Sequence, residues 1–395
     1  MGGSRLREAA QTSIESAERG IPEGSKIVIK IGNLSPQRVA SYSLAPDKIE
    51  FGRQCTPNFV VAEYRDGKWS EPRIEALHHF SMHPASNVFQ YGQAIFEGLK
   101  AYRQPNDQVV LFRPEMNAQR FEESAIRMGM PPIGAEIFLE ASRALVDLER
   151  PFIPESPGTL YLRPTMIGTE ASLGVRAATE FLFYIITLPS GAYFKNMGNG
   201  TGAVRVFVEQ SISRAAPGGT GEIKAAANYA VTLKSIRDAK DRGCSQVLFL
   251  DAERRQRVEE LGGMNVFFVR NGKLITPRLN GTILPGVTRA SLLTLGPDLG
   301  VPASEEDINI DQVVADVQSG VITEAMACGT AATVVGISEL LFSDGRLIRI
   351  GDGQAGTITK QLFDEIQGIQ FGRIPDRFGW TQDVSTDVLA VSENI

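Results

Sequence analysis

The spacing between hydrophobic residues changes along the chain, from every second position to every third or fourth, which predicts both strands and helices. Isoleucine occupies positions 27, 29 and 31, and residues 59–64, which are apolar except for Glu63, are followed by Asp66-Gly67 and Trp69. Residues 59–69 have the pattern of a strand that enters a hairpin turn. The chain is therefore expected to begin with β structure once past its polar first 25 residues.

Two amphipathic helices are predicted in the first half of the chain. Pro114 opens a segment in which apolar residues recur at helical spacing as far as Met128, and Arg120 lies off this apolar face. A second helical stripe runs through residues 138–148. Strands are predicted at residues 109–112, 159–164 and 181–188.

Short strands and helices also alternate in the second half. A helix is predicted at about residues 226–241, and a second helix is predicted to follow Thr288. The stretch 258–269, which contains Glu259 and Glu260, leads to Asn271-Gly272, a hairpin turn signal. Strands are predicted at residues 204–208, 246–250, 322–326 and 333–341.

A glycine-rich segment without periodicity, GAYFKNMGNGTG, separates these two halves. It lacks the third spaced glycine of a dinucleotide loop, and no GK[ST] motif occurs in the sequence, so we interpret the segment as a linker. We divide the chain into an N-terminal extension (1–45), a small N-terminal domain (46–190), a linker loop (191–203) and a large C-terminal domain (204–395).

Composition narrows the class of protein. The net charge of −6 argues against a surface for nucleic acid, and the 43% hydrophobic and 22% charged content is typical of a soluble globular protein. No apolar run is long enough for a membrane span. Three separated cysteines without a CxxC pair and three clustered histidines, His78, His79 and His83, indicate neither disulfides nor a metal site. We expect a cytoplasmic protein.

Lys224 is the candidate for chemistry. It lies in PGGTGEIKAAANYA, where small residues leave space around the amine. A buried lysine can be neutral and nucleophilic, as imine formation with an aldehyde requires. The alternative is a surface lysine at the start of an alanine-rich helix.

Pyridoxal phosphate on Lys224 would impose three further demands. The pyridine nitrogen needs an anion, for which Glu260 is the candidate. The ring oxygen needs a donor, which Tyr229 can supply. The phosphate needs a cation and N–H donors, and the candidates are Arg120, Val287, Thr288 and Thr330. Taken singly, each has an ordinary alternative as a solvated charge or a helix start.

Seven stretches in this order resemble the branched-chain amino-acid aminotransferases, which are class IV (fold type IV) pyridoxal phosphate enzymes. They are FEGLKAYR, LYLRPTMIGTEASLGV, GAYF, GEIKAAANYA, VEELGGMNVFFV, LNGTILPGVTR and CGTAA. The resemblance runs from about residue 55 to 372. It implies an α+β fold like that of D-amino-acid aminotransferase, with a small α/β N-terminal domain and a larger barrel-like C-terminal domain, and a homodimer.

The resemblance also implies a reaction and residue roles. The reaction is reversible, ping-pong transfer of an amino group between L-Leu, L-Ile or L-Val and 2-oxoglutarate. Lys224 would carry the cofactor and move the substrate proton. Glu260, rather than Glu259, matches the pyridine partner of the family's E-x-G-x-x-N motif, because it stands five residues before Asn265.

Substrate contacts are implied in the same way. The neighbouring subunit's copy of Tyr91 and the backbone of Thr330 and Ala331 would receive the substrate carboxylate. Arg163 would bind the distal carboxylate of glutamate. The apolar side chain would contact Phe96, Tyr161, Tyr193 and Met264.

Two departures from the family pattern bear on these expectations. Residues 225–227 are all alanine where relatives have two glycines, which would cost roughly 1 kcal/mol if a positive φ were needed there. The redox CxxC of the animal mitochondrial form is absent, with Ala332 and Val335 in its place.

Alternative functions on the same fold are a transaminase of D-amino-acid, aromatic or amine substrates, an aminodeoxychorismate lyase, or a relative without catalysis.

Overall fold

The structure is a computed structural model that describes residues 27–36, 42, 45–191 and 202–385. Its elements form two sheets flanked by helices. The strands of the first sheet are β1 (Lys30–Ile31), β2 (Asn58–Arg65), β3 (Lys68–Trp69), β4 (Arg73–Ala76), β5 (Ala94–Phe96), β6 (Leu99–Arg103), β7 (Val109–Phe112), β8 (Thr159–Gly168), β9 (Phe181–Ser190) and β19 (Thr381–Asp383).

The second sheet is built from residues of the second half alone. Its strands are β10 (Ala203–Glu209), β11 (Gln246–Leu250), β12 (Val258–Leu261), β13 (Asn265–Arg270), β14 (Lys273–Pro277), β15 (Ala303–Glu306), β16 (Ile322–Gly329), β17 (Thr333–Leu341) and β18 (Leu347–Arg349). The helices of the described residues are α1 (Asn87–Tyr91), α2 (Pro114–Arg127), α3 (Ala135–Leu148), α4 (Ala226–Ala230), α5 (Leu233–Asp241), α6 (Val287–Asp298), α7 (Ile310–Gln318) and α8 (Thr357–Gln370).

The first sheet is mostly antiparallel, in the order β1-β4-β2-β9-β8-β6-β7-β19, with β3 on β2 and β5 on β8. Asp66 and Gly67 both have positive φ, as the predicted hairpin turn between β2 and β3 requires. Helices α2 and α3 cover one face, where the rings of Phe121, Phe138 and Phe183 pack with centroids 5.4 to 6.5 Å apart.

The second sheet has parallel β11-β10-β17 pairing at its centre and antiparallel pairing around β16 and β13. The amide of Leu261 donates to the carbonyl of Met264 at 2.8 Å, which brings the edge strand β12 back beside β13. The sheet therefore curls, and its interior is filled by apolar residues such as Val206, Phe268 and Ile337. This curled sheet agrees with the barrel-like domain expected from the sequence.

The two sheets share an apolar cluster. Tyr102, Val110 and Phe112 of the first sheet pack in it with residues of the second sheet and of α6 and α8, including Leu292 and Ile366. The last strand, β19, pairs with β7 and so returns the end of the described chain to the first sheet. This packing joins the two halves in addition to the covalent chain. The domain boundary at residues 191–203 stays a prediction.

Most predicted elements occur where the pattern places them, with small differences in length. The expected helix at 226–241 is two helices, because α4 ends at Ala230 and α5 begins at Leu233. Within the described residues, no helix combines the length and apolar character needed to cross a membrane.

One buried acid gives this fold a pH-dependent stability. Glu149 lies fully buried just after α3, and its Oε1 accepts a hydrogen bond from Asn58 Nδ2 at 2.7 Å. Burial raises the pKa of Glu149 to about 7, although hydrogen bonds from Asn58 and Thr56 lower it. A pKa raised on folding means that the protonated acid favours the folded state. The corresponding stability is complete below the ordinary pKa of 4.5 and is lost as pH rises through about 7.

We therefore expect Glu149→Gln, which resembles the protonated acid, to raise the free energy of unfolding by up to about 3 kcal/mol at pH 8 and much less at pH 5. Urea unfolding of both proteins at the two pH values measures this difference. Glu155→Gln, at an exposed position, is the matched control and should have no effect at either pH. An equal gain for Glu149→Gln at pH 5 and pH 8 would contradict the assignment.

Candidate active site

The backbone of Lys224 is held between the two sheets, immediately before α4. Its amide donates to Ser124 Oγ of α2 at 3.0 Å, and its carbonyl accepts the amide of Phe96 at 3.1 Å. Ala225 forms a β-bridge with Ile95 of β5. The lysine therefore belongs to the second half of the chain but is positioned by β5 and α2 of the first.

The amine of Lys224 faces two aromatic side chains. Nζ donates to the hydroxyl of Tyr229 at 2.9 Å and lies 4.9 Å from the centre of the Phe96 ring. Lys224 is half-buried, in contrast to the surface lysine that was the alternative. The residue pair that was expected from sequence, Lys224 and Tyr229, is thus brought together.

The alanine run after Lys224 carries no backbone strain. Ala225 has φ −77° and ψ 138°, and the next two alanines begin the right-handed helix α4. Because none of these residues has a positive φ, the cost that would follow from replacing glycine there does not arise.

Glu259 and Glu260 are adjacent on β12 and both are buried, so neither is a solvated surface acid. Glu259 accepts a hydrogen bond from the Thr282 hydroxyl. Glu260 accepts the Leu284 amide at 3.1 Å and Asn265 Nδ2 at 3.1 Å. Successive side chains of a strand point to opposite faces, so only one of the two can face a given site.

Glu260 is the acid of this pair that interacts electrostatically with Lys224. Burial raises the pKa of Glu260, and the charges of Arg214 and Lys224 lower it without cancelling that rise. Arg214 forms a buried ion pair with the carboxylate and also donates to the carbonyls of Gly221 and Thr282. Sequence reasoning missed Arg214, although it stands only ten residues before Lys224.

Arg120 lies off the apolar face of α2, as the helical spacing predicts, but it is buried and is not the solvated charge that was its alternative. The polar residues Asn117, Arg120 and Ser124 form a second buried face of this helix, because they point at the junction of the sheets rather than at solvent. Nε and Nη2 of Arg120 bind the two oxygens of Glu97 at 2.6 and 2.9 Å, and Nη1 donates to the Pro285 carbonyl at 2.9 Å.

Glu97 is the second functional residue that sequence reasoning missed. It is fully buried between β5 and β6, and it also accepts Asn117 Nδ2 at 2.7 Å. Burial raises the pKa of Glu97, but Arg120 outweighs it, so the pKa is lowered overall and the acid stays ionised. The only sequence signal was a carboxylate within an otherwise apolar stretch, AIFEGL.

Three of the four predicted phosphate residues line one cavity. Val287 and Thr288 form the first turn of α6, and Thr330, which follows β16, lines the same cavity. The first backbone N–H groups of a helix have no partner within it and favour anions. The fourth, Arg120, is linked to the loop before α6 through Pro285.

The predicted substrate residues Phe96, Tyr161 and Arg163 also form a cluster. The Arg163 guanidinium lies 4.6 Å from the Phe96 ring centre and donates to the Tyr161 hydroxyl at 3.1 Å. Within the described chain, Nε of Arg163 is buried and has no hydrogen-bond partner. Gly98 is required here, because an added Cβ would lie 2.1 Å from the Tyr161 hydroxyl.

The remaining predicted residues have different positions. Met264 is buried and lies close to Gly329, next to Thr330, and Ala331 is partly exposed. Tyr91 is exposed, at the end of α1, and its hydroxyl donates to the carbonyl of Leu173. Tyr193 lies outside the described residues. No group of three His, Cys, Asp or Glu residues suited to a metal occurs in the described ranges.

The arrangement suits a ring that carries an aldehyde and a phosphate. It offers an amine beside a tyrosine hydroxyl, a buried carboxylate that interacts with this amine, and a cavity at the start of α6 with N–H and hydroxyl donors. These are the groups that pyridoxal phosphate requires.

Comparisons with known proteins identify the family. The family model of Amino-transferase class IV matches residues 94–340. Branched-chain-amino-acid transaminase 1 of Bacillus subtilis is 44% identical over 86% of this chain and 95% of its own length. The branched-chain-amino-acid aminotransferase of Mycolicibacterium smegmatis is 42% identical over 84% of this chain and 90% of its own.

A solved structure extends the match to the fold. The branched-chain aminotransferase from Thermoproteus uzoniensis, solved with norvaline, has a TM-score of 0.65 at 27% identity and covers 82% of this chain and all of its own. The expected two-domain fold is thereby confirmed. Since the family model spans more than half of the chain, and relatives above 40% identity span most of it, this chain belongs to the class IV aminotransferases.

Proposed function

We propose that this chain is a branched-chain aminotransferase that exchanges an amino group between L-Leu, L-Ile or L-Val and 2-oxoglutarate. The observation that carries the proposal is a single aromatic ring shared by two cations. Lys224 Nζ lies 4.9 Å and the Arg163 guanidinium 4.6 Å from the centre of the Phe96 ring. A substrate beside Lys224 therefore meets an apolar ring and, further out, a cation.

This combination suits a site that accepts two kinds of substrate. Phe96, Tyr161 and Met264 offer dry walls for a branched aliphatic side chain. The distal carboxylate of glutamate or 2-oxoglutarate needs a positive charge in the same space, and Arg163 has a buried N–H without a partner among the described residues. An aliphatic substrate leaves Arg163 stacked on the rings of Phe96 and Tyr161.

Pyridoxal phosphate, when bound, supplies an electron sink for the negative charge that remains on the substrate's α-carbon after proton loss. Another solved branched-chain amino acid aminotransferase, 25% identical with a TM-score of 0.66, is complexed with N-(5'-phosphopyridoxyl)-L-glutamate. In this chain Lys224 would bind the cofactor and carry the proton. Tyr229 would donate to the ring oxygen, and Glu260 would hold the ring nitrogen's proton. Arg120, Val287, Thr288 and Thr330 would hold the phosphate, and Thr330 and Ala331 the substrate carboxylate.

The enzyme would act as a homodimer in which Tyr91 of one copy reaches the site of the other. Tyr91 is exposed, as are the apolar side chains of Phe89, Leu173 and Val175, and Val175 is 89% exposed. An exposed apolar group of this kind marks an interaction surface.

The three cysteines are free thiols, which suits the reducing cytoplasm.

Replacement of Lys224 by alanine should abolish transamination, because no other described amine contacts both Tyr229 and Phe96. The visible absorption of lysine-bound cofactor should also disappear, whereas L-Leu should change that absorption in the unmodified protein and D-Ala should not. Lys240→Ala, on the exposed face of α5, is the control. Steady-state turnover by Lys224→Ala would remove the central assignment.

Glu260→Gln should lower kcat for L-Leu on the order of 100-fold, because a neutral amide cannot stabilise a protonated ring nitrogen. Glu259→Gln changes the neighbouring buried acid, which contacts Thr282 instead, and should retain most of the activity. Thermal unfolding of both variants controls for stability. Equal losses of kcat would show that the wrong carboxylate has been assigned.

Arg163→Gln should raise KM for 2-oxoglutarate and glutamate roughly 10- to 100-fold, as expected for the loss of a charge-assisted hydrogen bond. KM for L-Leu, which has no distal charge, should change little and serves as the internal control. Initial rates with a panel of L-amino acids measure both. A parallel rise in KM for all substrates would indicate a structural role for Arg163.

A further inference from the structure

A second buried lysine lies at the junction of the two sheets. Lys100 is the second residue of β6, where it pairs in register with Tyr161, and it is only 6% exposed. Its neighbours Leu99 and Ala101 pack in the core beneath α2 and α3, so Lys100 points to the opposite face. There its Nζ donates to the carbonyl of Ala331 at 2.7 Å.

Lys100 has no acidic partner in the part of the chain that the structure describes. Its Nζ donates to the Ala331 carbonyl, which is neutral. A buried cation without a counter-charge is unfavourable, and burial alone lowers the pKa of Lys100 to about 8. A buried lysine of this kind lowers the stability of the folded protein unless an anion binds beside it.

Arg120, the cation assigned to the phosphate, brings no net charge. Both oxygens of Glu97 are bound by its guanidinium, so the buried pair is neutral as a unit. The partial charge at the start of α6 favours an anion but is small compared with a phosphate dianion. Among the residues that line the cavity beside α6, Lys100 is the one that carries a full positive charge.

Lys100 also lines the small cavity beside Val287, Thr288 and Thr330. Its polar lining includes Lys100, Asn117, Thr288, Thr330 and Gln370. Gln370 is 3% exposed, and its Oε1 has no hydrogen-bond partner in the described chain. The cavity thus places a lysine that has no acidic partner in the described chain beside the free N–H groups of a helix start, whereas Gln370 Oε1 is an acceptor and does not bind an anion.

We propose that Lys100 supplies the net positive charge that binds the cofactor's phosphate dianion. Arg120 would then act as an oriented hydrogen-bond donor, held by Glu97, rather than as the counter-charge. The contact between Lys100 and Ala331 links the same charge to the turn that follows Thr330. This inference rests on the proposed use of pyridoxal phosphate.

The test compares binding of pyridoxal phosphate and pyridoxal to the full-length protein freed of cofactor. The two ligands share the ring and the aldehyde but differ in the phosphate. The Lys100→Gln variant keeps a donor for Ala331. Calorimetry should show that this variant binds pyridoxal phosphate at least about 10-fold more weakly than the unmodified protein does, and pyridoxal less than about 2-fold more weakly. Lys100→Arg should retain most of the selectivity for the phosphate form.

Stability measurements provide a second readout that does not depend on activity. Without cofactor, Lys100→Gln and Lys100→Met should unfold at a higher temperature than the unmodified protein, because a buried unpaired charge is removed. Inorganic phosphate should raise the unfolding temperature of the unmodified protein more than that of either variant. Lys240→Met, which removes an exposed lysine, should behave as the unmodified protein does.

Two outcomes would overturn the proposal. One is an equal loss of affinity for pyridoxal phosphate and pyridoxal in Lys100→Gln. The other is unchanged phosphate affinity with a higher KM for L-Leu, which would limit Lys100 to positioning the turn at Ala331. Failure of the unmodified protein to bind pyridoxal phosphate would instead refute the proposed function.

Discussion

The site depends on two buried ion pairs at the junction of the sheets. Glu97 with Arg120 joins the end of β5 to α2, and Glu260 with Arg214 joins β12 to the loop before Lys224. Removing one partner would leave a buried charge uncompensated, which is far more destabilising than the pair itself is stabilising. These pairs fix the positions of four charged groups inside the protein.

Fixed charges of this kind make the two ends of the site electrically different. Glu260 presents a carboxylate at one end, whereas the cavity beside α6 combines helix N–H groups with Lys100, which has no acidic partner among the described residues. In the proposed function, a ring with a positively charged nitrogen and an anionic phosphate would lie with its nitrogen toward Glu260 and its phosphate toward α6. Lys224, held by Ser124 and Phe96, would then stand beside the reacting carbon of such a ring.

Residues from both halves of the chain form the site. The Lys224 backbone is bound by α2 and β5, and the Ala331 carbonyl is bound by Lys100 of β6. The strand β19 and the shared core of Tyr102, Phe112 and Leu292 hold the halves together. Specificity for aliphatic and acidic substrates would come from Phe96 and Arg163 of the first half, and the chemistry from Lys224 of the second.

The sequence by itself determined the elements and the chemical groups. Local patterns predict the helix from Pro114 and the hairpins at Gly67 and Gly272, because spacing and turn residues act over a few positions. The order of motifs indicated Lys224 and Glu260. Only the tertiary structure decided that Arg120 is paired with Glu97 and Glu260 with Arg214, and that Lys100 has no acidic partner among the described residues. Pairing of buried charges joins residues far apart in the chain, and no periodicity in the sequence records which of them meet.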